Sequence, residues 1–293
     1  MDGPGLALYR RVVPGRIRVR AYLVRFFWRQ SSGLSTLASP GPRRAWLASL
    51  RVLLCLKLAL SLRSLHRAAL PVWIEDTDRA LVSNWCDLLV LGEIYRPPRD
   101  YDFPTLPKAA RTIVDLGANV GFSARFLGEC YPDARVIAFE PDPESFELAQ
   151  RNLAGRPQVS LRNLGVAGEP GPLELHRFAA GSWSTSTFMS RHEVMETFTA
   201  EAVTLDSIID EVGDIDLLKI DIEGAEYEVL EACRQLDRVR CIIGEAHTIP
   251  GGRPERLFAL LGDFQVSSER VQRGRGPFIA TRPAVEEPST PPA

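Results

Sequence analysis

Five short apolar runs, "RTIVDL", "ARVIAF", "QVSLRNL", "DLLKID" and "VRCIIGE", recur between residues 111 and 245 and alternate with stretches of helical period. Runs of this length read as strands, and strand-helix alternation predicts a mostly parallel sheet covered by helices on both faces. A ligand of such a sheet sits at the carboxyl ends of the strands, where the βα loops open. Motifs are therefore weighed by whether they fall at strand tips. With 45% hydrophobic residues, a chain of 293 has ample apolar material for one such domain and an appendage.

Charge separates the appendage. Residues 1–70 hold thirteen Arg or Lys against one acid, Asp2, a net charge of +12, and the remainder carries −14. This polarity, with the strand pattern, predicts a basic helical extension over 1–71, an α/β domain over 72–282 and a disordered Pro-rich tail over 283–293. Within the extension, Arg51 and Lys57 break the second apolar run below the roughly 20 residues of a membrane span. Arginines recurring throughout argue against a secretory signal. Arg mixed with Phe26, Phe27 and Trp28 suits either a helical cap with its arginines in water or a helix lying on an anionic membrane surface. Nucleic acid is not expected as a partner. The five cysteines, Cys55, Cys86, Cys130, Cys233 and Cys241, are odd in number and never spaced Cys-x-x-Cys, against a disulfide framework or a zinc site. A cytoplasmic location follows as the expectation, membrane-peripheral if the basic segment binds lipid.

The stretch "TIVDLGANVGFSARF", residues 112–126, places Gly-x-Asn-x-Gly between a strand and a helix. Gly117 and Gly121 let the backbone approach a ligand with no Cβ in the way, and Asn119 tolerates a left-handed backbone. Ala118 lies between them and Phe122 opens the helix. Taken alone, such a turn is equally a plain βα connection. Twenty-five residues beyond Asp115, however, "RVIAFEP" ends in Glu140 and Pro141, near the spacing at which an acid takes a ribose hydroxyl pair in nucleoside-binding folds. Asp142 as N-cap, Pro143 at the first helical position and Gly155 past the end define the helix that follows. A dinucleotide site would present Gly-x-Gly-x-x-Gly to pyrophosphate; Asp115 immediately before this turn favours an ammonium group instead, such as the amino acid end of S-adenosylmethionine.

"VDLGANVGFSARFL", "VIAFEPDPESFELAQRNL", "VTLDSIID" and "DLLKIDIEGAEYEVLEA" together resemble the FkbM-type family of S-adenosylmethionine-dependent methyltransferases, over roughly residues 84–250. The resemblance implies a class I, Rossmann-like α/β fold with a seven-stranded sheet, and methyl transfer, usually to a hydroxyl of a sugar or other small molecule. Carried over by position, Asp115, Gly117, Asn119 and Gly121 would line the methionine end of the cofactor and Glu140 the ribose. Gly165 and Val166 in "RNLGVAG" would lie near the adenine. N-methylation, an NAD-linked activity on a similar sheet, and a non-catalytic binding or membrane-recruiting role stay open.

"DLLKIDIEGAEY" also carries chemistry of its own. With a period of two, Lys219, Asp221 and, if the strand extends, Glu223 share one side. Charges so placed call for pairing, either as a structural bridge through Lys219 or as part of a site. "VRCIIGEAHTIPGG" supplies Glu245 and His247 at another tip. Methyl transfer to an alcohol needs a base for the hydroxyl proton, and Asp221, Glu223, Glu245 and His247 are the candidates. No complete metal ligand set is read. The polar segment between Arg177 and Thr204 is expected to be a solvent loop or an acceptor-binding flap, with Trp183, Ser184 and Ser186 available to a sugar.

Overall fold

A computed structural model describes residues 24–25, 27–29, 31, 34, 41–60, 69–74, 78–178 and 194–282. The expected flap residues Trp183, Ser184 and Ser186, the histidines His66 and His192, and the tail 283–293 lie outside them. The chain divides into two compact units, one formed by the described residues up to Arg99 with Phe178, the other by Asp100–Arg177 together with the described residues from Val194 onward. The boundary expected at 71/72 thus falls inside the first unit.

In the first unit, helix α1 (Pro42–Leu60) buries Leu47, Leu50 and Leu54 at helical spacing and leaves Trp46, Val52, Leu53 and Leu56 exposed. No helix of the described residues is long and apolar enough to cross a membrane. Strands β1 (Leu70–Ile74) and β2 (Asp78–Val82) form an antiparallel hairpin, to which Trp46 Nε1 donates a hydrogen bond at the Pro71 carbonyl, 2.8 Å. Helix α2 (Trp85–Tyr95) starts at a reciprocal cap: Asn84 Oδ1 accepts from the Asp87 backbone at 3.1 Å, and Asp87 Oδ2 accepts from the Asn84 backbone at 3.1 Å. Such a cap satisfies amides that the first helical turn leaves unpaired.

The second unit is built on seven strands in the order β5-β4-β3-β9-β10-β12-β11. They are β3 (Thr112–Leu116), β4 (Arg135–Phe139), β5 (Val159–Arg162), β9 (Leu217–Ile220), β10 (Cys241–Ala246), β11 (Gln265–Ser267) and β12 (Gly276–Thr281). β12 runs antiparallel to both its neighbours, and the other pairings are parallel. All five apolar runs became strands of this sheet, the seven-stranded α/β fold expected. The buried parallel strands contribute Val114, Leu116, Ile137, Phe139, Leu218, Ile220 and Ile242 to one core, each such side chain stabilising by about 1.5–3 kcal/mol. The chain enters at β3, works outward through β4 and β5, and returns to β9 on the other side. The strand order therefore reverses between β3 and β9, where ligands of open α/β sheets bind.

Helices α3 (Phe122–Cys130), α4 (Pro143–Asn152), α5 (Leu205–Val212), α6 (Glu226–Ala232) and α7 (Pro254–Leu260) connect or flank the strands. A three-stranded sheet, β6 (Gly165–Val166), β8 (Val194–Val203) and β7 (Gly171–Phe178), stands apart, with β8 central. Residues 194–203 correct the expectation of an irregular segment up to Thr204. Thr197, Thr199 and Glu201 are exposed while Phe198 and Ala200 are half-buried and Ala202 buried, an alternation that rests largely on alanines and gives a weak hydrophobic signal.

Helix α4 begins as its sequence specifies, with Asp142 Oδ1 accepting from the Glu144 amide at 2.9 Å and Pro143 in the first turn. The same buried carboxylate receives Arg177 from β7, Nη2 to Oδ1 at 2.7 Å and Nε to Oδ2 at 3.0 Å. Asp142→Ala removes a cap contributing about 1 kcal/mol and a charge-assisted pair of similar or larger worth. A loss of at least about 2 kcal/mol is expected from urea unfolding, as a lower midpoint at unchanged slope.

Candidate functional site

The turn between β3 and α3 is set by three left-handed residues, Gly117, Asn119 and Gly121, with φ of 84°, 50° and 88°. Both Gly117 and Ala118 donate backbone hydrogen bonds to the Phe139 carbonyl, at 3.0 and 2.9 Å, which folds the turn onto the tip of β4. A Cβ on Gly117 would stand 2.0 Å from the Asp221 carbonyl oxygen, so the turn touches the end of β9 backbone to backbone. Gly121 packs against Ala149 and Leu153.

Glu140 stands at the tip of β4. Its Oε2 accepts from the Asn119 amide and its Oε1 from the Asp142 amide, each at 2.8 Å. Burial pushes this carboxyl up to about 8, against the lowering effect of the two amides. Asn163, just past β5, donates from Nδ2 to the carbonyls of Glu140 (2.8 Å) and Pro141 (3.1 Å) and so fixes that tip from the far side. The Asn119 Oδ1 is buried and has no hydrogen-bond partner among the described residues.

Asp115 is fully buried. Ser123 Oγ donates to its Oδ2 at 2.6 Å, and Lys219 Nζ lies 3.1 Å from its Oδ1. Lys219, its side chain 2% exposed, also donates to the carbonyls of Gly117 (2.6 Å) and Leu116 (3.2 Å). Burial alone would lower the ammonium's pKa, but Asp115 and Asp221 outweigh it and hold the group charged. Of the two roles open to Lys219, the bridge is the one formed.

Beyond β9 the chain presents a second cluster. Tyr101 donates to Asp221 Oδ2 at 2.9 Å. His247, just past β10, meets Glu226 Oε1 through Nδ1 at 3.1 Å, while its Nε2 lies 3.9 Å from Asp221 Oδ1, 3.7 Å from Glu223 Oε2 and 3.6 Å from Glu245 Oε2. Glu245 takes two hydrogen bonds from Arg275, at 2.6 and 3.2 Å. Burial pushes the Glu223 carboxyl up to about 8, with Asp221 adding to the shift and His247 opposing it. For Asp221 burial also acts upward, yet Lys219, His247 and the Tyr101 hydroxyl hold it below its ordinary value. His247 would be lowered by burial, but Glu226, Glu223 and Glu245 raise it to about 10.

The Methyltransferase FkbM domain model matches residues 115–266, slightly more than half of the chain. This chain belongs to the FkbM methyltransferase family. Methyltransferase sdnD of Sordaria araneosa is 30% identical over 210 residues, covering 59% of this chain and 80% of that protein. The 31-O-demethyl-FK506 methyltransferase FkbM of Streptomyces tacrolimicus is 30% identical over 194 residues, covering 54% and 74%. The hexuronic acid methyltransferase AglP of Haloferax volcanii is 28% identical over 172 residues, covering 55% and 65%.

Every candidate residue read from the sequence falls inside the FkbM match. The structure brings Asp115, Gly117, Ala118, Asn119, Gly121, Phe122, Glu140 and Pro141 together at the β3 and β4 tips, and Asp221, Glu223, Glu245 and His247 at the β9 and β10 tips. Gly165 and Val166 form β6, beginning two residues after Asn163, which is bonded to the β4 tip, and Val166 packs into the hydrophobic core. Asp221 and Glu223 lie past the end of β9 rather than along it, and Glu223 adopts φ 55°. Tyr101, Ser123, Glu226 and Arg275 were not singled out from the sequence. Glu226 had a signal, as the acid that opens a helix two residues after Gly224, whereas Tyr101 and Arg275 lie outside the FkbM match and reach the cluster only through tertiary folding.

Asp115→Asn removes the nearer counter-charge of the buried Lys219 ammonium and leaves only Asp221, 4.0 Å away, which should cost up to about 3–5 kcal/mol. Adding Lys219→Met should restore part of that loss in thermal unfolding, and failure to restore any would show the pair is not the cause. For Glu140 the folded value of about 8 lies above the ordinary 4.5. The stability it contributes is full below about 4.5 and is lost as pH rises through about 8. Glu140→Gln should flatten that decline in unfolding free energy measured from pH 5 to 9.

Proposed function

We propose that the chain transfers a methyl group from S-adenosylmethionine to a hydroxyl of a sugar or other small molecule. The observation that carries this reading is the left-handed turn folded onto Glu140 at the point where the strand order reverses. The residues there suit the methyl donor. The Asn119 and Asp142 amides occupy one position on each Glu140 oxygen, and the remaining hydrogen-bonding capacity of this carboxyl suits a ribose hydroxyl pair. The unpartnered Asn119 Oδ1 and the partly exposed Gly117 suit the donor groups of the amino acid end. Asp115 acts on that end indirectly, by fixing Lys219 and through it the Gly117 carbonyl.

S-adenosylmethionine supplies an activated methyl carbon, and the chain's own work is positioning and proton removal. The cluster of Asp221, Glu223, Glu245 and His247 is where an acceptor hydroxyl would meet a base. Groups this close titrate together rather than one by one. The relative named for 31-O-demethyl-FK506 supports an oxygen acceptor, and the one named for a hexuronic acid supports a sugar acid as acceptor.

Calorimetric titration with S-adenosylmethionine and S-adenosylhomocysteine should show binding to the wild type and none to Glu140→Ala. With labelled methyl donor and a panel of sugars and uronic acids, Glu223→Gln should retain cofactor binding and lose roughly 100-fold or more in turnover. A folded wild type that binds neither cofactor would sink the proposal.

A further inference from the structure

The β9 and β10 tips bring together one imidazole nitrogen and two carboxylates. A ligand atom from each of Asp221, Glu223 and His247 lies within 4.8 Å of the others. The His247 side chain is only 9% exposed, yet its Nε2 is buried with no hydrogen-bond partner among the described residues. Its separations of 3.7 Å from Glu223 Oε2 and 3.9 Å from Asp221 Oδ1 are too long for hydrogen bonds. They suit atoms sharing one ion, because ligands bonded at about 2.0–2.2 Å stand roughly 3–4 Å from one another.

The supporting contacts orient the ring in the same sense. Nδ1 faces Glu226 Oε1 at 3.1 Å, and that oxygen also accepts from the Ile222 amide at 2.8 Å. A carboxylate behind Nδ1 holds a proton there and turns Nε2 toward Asp221 and Glu223, so a cation bound at Nε2 displaces only that nitrogen's proton, the arrangement that commonly backs a metal-binding histidine. The Tyr227 hydroxyl donates to the His247 carbonyl at 2.7 Å and fixes the backbone of the same residue. Glu223 and Gly224, with φ of 55° and 106°, reverse the chain directly after β9. Glu245 is drawn toward Arg275 by two hydrogen bonds and is not counted as a ligand.

We infer that Asp221, Glu223 and His247 form a binding site for a divalent cation, with Glu226 as the positioning residue behind the histidine. Two carboxylate oxygens and one imidazole nitrogen favour a first-row transition ion such as Mn²⁺ over Ca²⁺, whose ligands are all oxygens. A cation there would offer a coordination position to an acceptor oxygen. That use of it rests on the methyltransferase reading; the site itself does not.

The test is calorimetric and paramagnetic titration of the full chain with Mn²⁺, with neither methyl donor nor acceptor present, so the two readings stand or fall separately. One ion per chain is expected. His247→Ala and Glu223→Gln, checked for wild-type circular dichroism, should each weaken binding at least tenfold, and Glu226→Gln should weaken it about 10–100-fold. On the wild type itself, the bound ion's spin echo should be modulated by an imidazole nitrogen, a readout that needs no variant to fold. No uptake by folded wild type, uptake unchanged in both ligand variants, or a bound ion without the nitrogen modulation would each overturn the proposal.

Discussion

A single buried ammonium holds the centre of the sheet together. Lys219 sits on β9 beside β3 and meets Asp115 Oδ1, the Leu116 carbonyl and the Gly117 carbonyl at 3.1, 3.2 and 2.6 Å. An ammonium withdrawn from water is costly unless its donors are met and its charge is balanced, and here a carboxylate and two carbonyls do both. All three partners belong to the last strand turn of β3 and the residue after it. The cation therefore fixes where β3 ends and where the glycine-bearing turn begins, in register with the neighbouring strand. Ser123, at the start of α3, adds the other oxygen of Asp115 to the same arrangement.

Two chemically different regions flank this ammonium. On one side, Glu140 and the left-handed turn offer acceptors and open backbone, fixed by amide hydrogen bonds from Asn119 and Asp142. On the other, Asp221, Glu223, Glu226, Glu245 and His247 concentrate ionisable groups, with Tyr101 and Arg275 as partners. Lys219 borders both, being 4.0 Å from Asp221 Oδ2 as well as 3.1 Å from Asp115. An α/β sheet places such regions side by side because adjacent parallel strands end on the same edge, and only the connecting loops differ.

Much of this was legible in the chain. Runs such as "RTIVDL" and "ARVIAF" are apolar because parallel strands are buried on both faces, and Asp142-Pro143 announces α4 through local capping that needs no tertiary help. Glu140 was readable for the same reason: the strand before it and the helix after it are both locally specified. The antiparallel β11 and β12 were not read, since their sequences are short and interrupted by "SSERVQRGRG". β8 was missed because its alternation, with Phe198, Ala200 and Ala202 turned from water between Thr197, Thr199 and Glu201, rests largely on alanines and gives a weak apolar signal. At the cluster, period-two counting put Asp221 and Glu223 on a strand that in fact stops at Ile220. Assembling His247 with Glu226 and Tyr101 requires the register of three separate segments, which no local pattern contains.

Two of the left-handed glycines differ in what surrounds them. Around Gly155, with φ 82°, a Cβ would meet nothing within 4 Å, whereas at Gly117, with φ 84°, it would run into the Asp221 carbonyl oxygen. The first position asks only for a backbone angle, which asparagine can also supply. The second asks for the absence of an atom. Over evolutionary drift, position 155 has neighbouring solutions, while position 117 has none that leaves β9 where it is. The meeting of this turn with the end of β9 is thereby tied to a single residue type, whereas the turn after α4 is open to exchange.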